Sequence, residues 1–134
     1  MHKTSMIWGS LFCMTSILLG AFGAHYLKQI FTPELLVSFE TGVRYQFYHG
    51  MALLFVGLVG PHLSRFKQTI VYLFITGTLL FSGSIYALCI LKSQQQIGLS
   101  GLGILTPIGG ILFIIGWGIL CWSLMLSKPK QEQF

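Results

Sequence analysis

The sequence predicts an all-α integral membrane bundle of four transmembrane helices, with a short interfacial helix after the first span. Three observations carry this. Of the 134 residues, 54% are hydrophobic and only 8% charged, whereas roughly a quarter of a soluble domain is charged. Four apolar runs, residues 6–27, 45–61, 69–91 and 105–126, match or approach the about 20 helical residues that a hydrocarbon core requires. The polar residues inside these runs are few and gather in the second, and polar groups at membrane depth face the bundle interior. The whole chain, 1–134, reads as a single membrane domain.

The first run has a positive flank in Lys3 and small residues around Ala21-Phe22-Gly23, as a signal peptide would. Its apolar core is longer than the about 7–15 residues usual for such a peptide, so it reads as a retained helix. After it, Thr32 can cap, Pro33 suits the first helical position and Glu34 complements the helix dipole. Leu35, Leu36, Phe39 and Val43 share one face, which predicts an interfacial helix over 33–43. Pro61 ends the second run, and the brief PHLSRFK connection makes the second and third helices antiparallel neighbours. The third connection is polar and then glycine-spaced (IGLSGLG), which predicts an irregular loop, with Thr106-Pro107 starting the last helix. Small residues suited to close helix approach recur at Gly20, Ala24, Gly50, Gly57, Gly83, Gly109, Gly110 and Gly116.

Basic residues decide orientation. Lys3, Arg65, Lys67, Lys128 and Lys130 fall on one side, against Lys28, Arg44 and Lys92 on the other, which predicts cytoplasmic termini in a multi-pass protein of the cell membrane. The net charge of +5 is scattered at membrane borders rather than gathered into a patch, which excludes nucleic acid as a partner. His2 and His62, at the cytoplasmic border, read as solvated. Cys13, Cys89 and Cys121 lie singly in three different runs, without metal spacing or a complete disulfide set, and read as packing residues.

The candidate polar cluster comprises His25, Glu40, Arg44, Tyr45, Gln46, His49, Ser82, Ser84, Tyr86 and Thr106. Tyr45, Gln46 and His49 share a helical face, and Glu40 precedes Arg44 by the four residues that favour an ion pair. Antiparallel spans bring His25, the 45–49 face, Ser82 to Tyr86 and Thr106 toward one leaflet, whichever way the chain is oriented. These groups either hydrogen-bond across helices, at roughly 1 kcal/mol each, or line a polar cavity. His25 and His49 on separate helices also fit bis-histidine haem ligation, yet neither has ligand-type partners at regular spacing, so no metal or cofactor is assigned. Hydrolysis lacks its residues: the chain has no Asp, and Ser82-Gly83-Ser84 is not a nucleophile elbow.

Five blocks occur in order: GAFGAH (20–25), TGVRYQFYH (41–49), LFSGSIYAL (80–88), TPIGG (106–110) and Gly116-Trp117. On these the chain resembles a family of small bacterial and mitochondrial membrane proteins of unknown function, typified by YgdD and YwdK. The resemblance implies a four-helix multi-pass protein with its YQxxH element opening the second helix, gives most weight to Tyr45, Gln46 and His49, and supplies no activity. The expected protein is non-enzymatic. Its outer-half cluster maintains the bundle or docks a lipid or a partner subunit, in a monomer or homo-oligomer. The alternative is a small proton-linked transporter or a lipid or solute carrier in which His25 or His49 titrates.

Overall fold

Helices form where the apolar runs predict them, but several ends fall elsewhere. The computed structural model describes residues 2–61, 63, 66–95 and 100–127, with only the backbone at Ser100. His62, Arg65, Lys128, Lys130 and the stretch 96–99 of the third connection lie outside the described residues.

The first helix, α1, runs Lys3–Ile30 and includes a π-helical turn at Gly23–Leu27. Its cap is His2, whose ring accepts the Ser5 N–H. The second helix, α2, is Pro33–Val59, capped by the Thr32 side chain with Pro33 in its first turn. The interfacial helix expected over 33–43 is therefore not a separate element. It continues without a break through Gly42, and its apolar face meets protein instead of a membrane surface: Leu35, Leu36, Phe39 and Val43 pack with Leu27, Phe31 and Cys89.

The third helix, α3, is Lys67–Ser93, closed by Gln94 and by Gln95 at a left-handed φ of 56°, a conformation that commonly ends helices. The fourth, α4, is Ser100–Leu126 and carries Pro107 inside it. It thus begins before the expected Thr106-Pro107 start, and Ser100 to Gly103 belong to the helix instead of a loop. Proline costs an interior helix the hydrogen bond to the carbonyl four residues back; that carbonyl belongs to Gly103, which is exposed and can be solvated. No strand occurs among the described residues.

Among the described residues three helices, α1, α3 and α4, are long and apolar enough to cross a membrane. Helix α2 is as long as α3 and α4, but Arg44, Tyr45, Gln46 and His49 dilute its apolar character. In space α1 packs on α2, α2 on α3 and α3 on α4, with no comparable contact between α1 and α4. The central α2–α3 pair is thus flanked by α1 and α4. The main core gathers Phe12, Leu53, Val56, Ile70, Val71, Phe74, Phe113 and Leu120 from all four helices.

Glycine sets the two outer crossings. A Cβ on Gly9 would stand 2.8 Å from the Gly50 carbonyl oxygen, and one on Gly50 would stand 3.1 Å from that of Gly9. In the other pair, a Cβ on Gly109 would lie 2.6 Å from the Phe81 backbone nitrogen and 2.8 Å from the Gly77 oxygen. Backbones this close exclude any side chain, as in small-residue packing within membranes. Of the other expected packing positions, Gly57 and Gly116 also fill their contacts, against Met6 and Phe74, while Gly20 and Gly110 make only ordinary contacts. Ala24 is exposed and Gly83 has nothing within 4 Å of its would-be Cβ, so among the described residues neither sets a close helix approach.

Candidate functional site: a polar clamp and an aromatic cleft

Gln46 joins three helices. It projects from α2, is 6% exposed, and its Nε2 donates to the Phe12 carbonyl at 3.2 Å and to Thr15 Oγ1 at 2.6 Å, both on α1. Its Oε1 accepts the Tyr86 hydroxyl of α3 at 2.8 Å. Both amide hydrogens are thereby used, so the side chain has no donor left for a ligand. The α1–α2 register is repeated along the pair: Ser5 Oγ donates to the Leu53 carbonyl at 2.6 Å, Gly9 meets Gly50, and the His2 N–H donates to the Gly57 carbonyl at 3.1 Å.

Gly42 is the seat of the Tyr86 ring, since a Cβ there would meet it at 2.8 Å. Beside it, Ser82 Oγ donates to the Gly42 carbonyl at 2.7 Å. Between α3 and α4, Ser84 Oγ and Thr106 Oγ1 are 2.6 Å apart. Every predicted polar residue of α3 and α4 thus bridges helices.

His49 is 4% exposed, and its two ring nitrogens have partners of opposite kind. Nδ1 lies 2.8 Å from the Tyr45 carbonyl, which can only accept, and Trp117 Nε1 donates to Nε2 at 3.2 Å. The partners therefore assign the neutral ring with its proton on Nδ1. Placing a second proton on Nε2 requires the Trp117 indole to leave. The ring also stacks on Phe113, with centroids 3.4 Å apart and planes inclined by 9°, and meets Phe74 edge-on at 5.4 Å.

His25, Glu40 and Arg44 do not join this arrangement. His25 is exposed in the π-helical turn and its Nδ1 bonds the Ala21 carbonyl of its own helix at 2.9 Å. Because α1 crosses α2 at Gly9 and Gly50, His25 lies about 24 Å further along α1 than the level of His49. One haem iron cannot be ligated by both. Glu40 is exposed, and Arg44 donates to Thr41 Oγ1 at 3.4 Å instead of to Glu40. The expected ion pair is not made among the described residues. His2 is only partly buried: besides capping α1, its Nε2 makes an exposed bond with Gln68 Oε1 of α3 at 2.9 Å.

Tyr45 behaves differently from its neighbours. Its ring packs on Phe81 at 4.7 Å, while its hydroxyl makes no hydrogen bond among the described residues. With His49, Phe81, Pro107, Gly110, Phe113 and Trp117 it lines a cleft of about 590 Å³ between α2 and α4. A second cleft of about 340 Å³ opens between α1 and α3, over Gln46 and Gly83. Sequence reasoning missed Thr15, the Phe12 carbonyl, Trp117 and Phe113. For Trp117 a signal existed: an indole N–H inside an apolar helix needs an acceptor, and His49 was the buried acceptor in reach.

This arrangement belongs to a helical membrane protein with a polar clamp at its centre. Residues 19–110 match the family described as "Protein of unknown function (DUF423)", and the chain belongs to that family. It is 39% identical over 118 residues to a UPF0382 membrane protein of Staphylococcus aureus, covering 88% of this chain and 92% of the relative. It is 37% identical over 127 residues to a UPF0382 membrane protein of Haemophilus influenzae, covering 95% of each. It is 38% identical over 117 residues to the UPF0382 membrane protein YwdK of Bacillus subtilis, covering 86% and 90%. No solved structure matches the chain.

Proposed function

We propose that this is a non-enzymatic protein of the cell membrane with four spans and both termini cytoplasmic, and that it holds a lipid-class molecule in the plane of the bilayer. The observation that carries this reading is the division of labour within the 45–49 face. Gln46 and His49 spend their polar groups on other helices, which leaves an open, mainly apolar cleft beside them. Proton transport through His49 would need a free ring nitrogen, and both are engaged.

Helix α2 counts as the fourth span because two of its most polar side chains, Gln46 and His49, are turned inward, while Glu40 and Arg44 remain exposed nearer its start. Gln46 and His49 are buried, and Ser82 and Tyr86 reach α2 from α3. Once satisfied inside the protein, such groups no longer bar a helix from hydrocarbon. The cytoplasmic assignment rests on the sequence count of five basic residues, Lys3, Arg65, Lys67, Lys128 and Lys130, on one side against three, Lys28, Arg44 and Lys92, on the other.

Native mass spectrometry of protein released gently from its own membrane tests the function. Retained lipid-class mass that is lost on Gly110→Leu, which fills the cleft, is the expected result. A bare chain, or one carrying only a partner subunit, would overturn the reading.

A further inference from the structure

The α2–α4 cleft has a composition that selects among membrane-dissolved molecules. Its lining is rich in aromatic side chains: Tyr45, Phe81, Phe113 and Trp117, with His49 stacked on Phe113. Its remaining lining is Pro107, Gly110, Ile111 and Ile114. The volume, about 590 Å³, lies inside the roughly 300–1,000 Å³ typical of small-molecule sites. Gly110 keeps it open, since a Cβ there would meet nothing nearer than Phe81 at 3.9 Å.

Three features narrow the ligand. Among the described residues no Lys, Arg, Asp or Glu lines the cleft, and the two partners of His49 fit its neutral ring, so an ion would sit there uncompensated at high cost. Aromatic walls favour a flat ring, which offset-stacks on them, over a flexible acyl chain, which gains nothing from their geometry. Among the described residues the Tyr45 hydroxyl makes no hydrogen bond, and it can donate to a carbonyl oxygen. An apolar tail can leave sideways past Ile111 and Ile114, both exposed.

From these we infer that the cleft binds the head of a neutral, planar, carbonyl-bearing aromatic amphiphile of the quinone class, stacked on its aromatic walls and hydrogen-bonded by Tyr45. This rests on the lipid-binding reading above and names its ligand. It concerns binding alone and includes no electron transfer.

Trp117 provides the readout, because it lines the cleft while Trp122, a turn and a half further on, does not. The full chain in lipid nanodiscs, carrying Trp8→Phe and Trp122→Phe, is titrated with decylubiquinone. A matched protein keeps Trp122 as its sole indole, through Trp8→Phe and Trp117→Phe. The expected result is saturable quenching of Trp117 and only linear, partition-type quenching of Trp122. Tyr45→Phe weakens the saturable component about three- to tenfold, and Gly110→Leu abolishes it with the helical circular dichroism unchanged. Linear quenching alike for both indoles, or saturation undiminished in Gly110→Leu, would overturn the proposal. The native mass spectra separate the two readings: a retained lipid of another class leaves lipid binding standing and removes the quinone, whereas a bare chain removes both.

Discussion

Gln46 and His49 solve the same problem by different means. A primary amide has two donors and one carbonyl, and in this fold it meets two acceptors on α1 and one donor on α3. Replacing it with Leu keeps much of the volume but strands the Tyr86 hydroxyl and removes the α1 bonds. At about 0.6–1.7 kcal/mol for a hydrogen bond between membrane helices, Gln46→Leu should lower stability by about 2 kcal/mol, read as an earlier thermal transition in detergent. Exposed His25→Ala and Arg44→Ala should stay within about 0.5 kcal/mol of the parent. For His49, the ¹⁵N chemical shifts of a selectively labelled sample should report a protonated Nδ1 and a bare, hydrogen-bonded Nε2. Trp117→Phe should move the Nε2 signal alone, and an Nε2–H tautomer in the parent would contradict the geometry. That these two side chains matter was legible, because a polar group in an apolar run must find a partner. Their partners were not legible, since one is a main-chain carbonyl of Phe12 and another an indole on a distant helix.

Helix pairing rests on which glycines meet a backbone, and sequence spacing does not disclose that. Gly83 and Gly109 look alike in the sequence, each set among apolar residues with small neighbours. Yet Gly83 opens on empty space, while a Cβ on Gly109 would collide with main-chain atoms of α3. Main chain cannot swing aside as a flexible side chain can, so Gly109→Ala should cost about 1–3 kcal/mol. Gly83→Ala should be neutral or slightly stabilising through helix propensity. Paired thermal melts of the two variants check this, and equal transitions would refute the α3–α4 crossing. The ends of the helices were only partly legible. Thr32, Pro33 and Glu34 marked the start of α2 correctly: the Thr32 side chain accepts the Leu35 N–H, and Glu34 lies in the first turn, as suits the positive end of a helix. Pro107 misled, because a proline that usually opens a helix here lies a little inside one. The amphipathic 33–43 stretch misled for a related reason: an apolar face looks the same whether lipid or Phe31 and Cys89 cover it.

Orientation and span number follow from how the four helices alternate, and α2 decides both. If α2 crosses, the α1–α2 turn and the α3–α4 turn share one side, and the α2–α3 turn faces the other. Composition alone leaves α2 short of the apolar character of its neighbours. The structure supplies a reason for it to cross: its antiparallel pairing with α1 runs unbroken from the Gly57 carbonyl, beside His2, through Gly50 to Gln46. On the proposed four-span reading α2 crosses together with α1 and α3, because lying flat on the surface would unzip its pairing with each of them. Single cysteines placed in a variant without Cys13, Cys89 and Cys121 make this measurable, because Gln29, Pro61 and Gln95 are all exposed. On intact cells a membrane-impermeant maleimide should label Gln29→Cys and Gln95→Cys, and should reach Pro61→Cys only after permeabilisation. Labelling of position 61 together with position 29 would mean that α2 does not cross. Labelling of 61 alone would keep four spans and invert the chain, leaving the clamp and the cleft intact but reversing which end of each faces the cytoplasm.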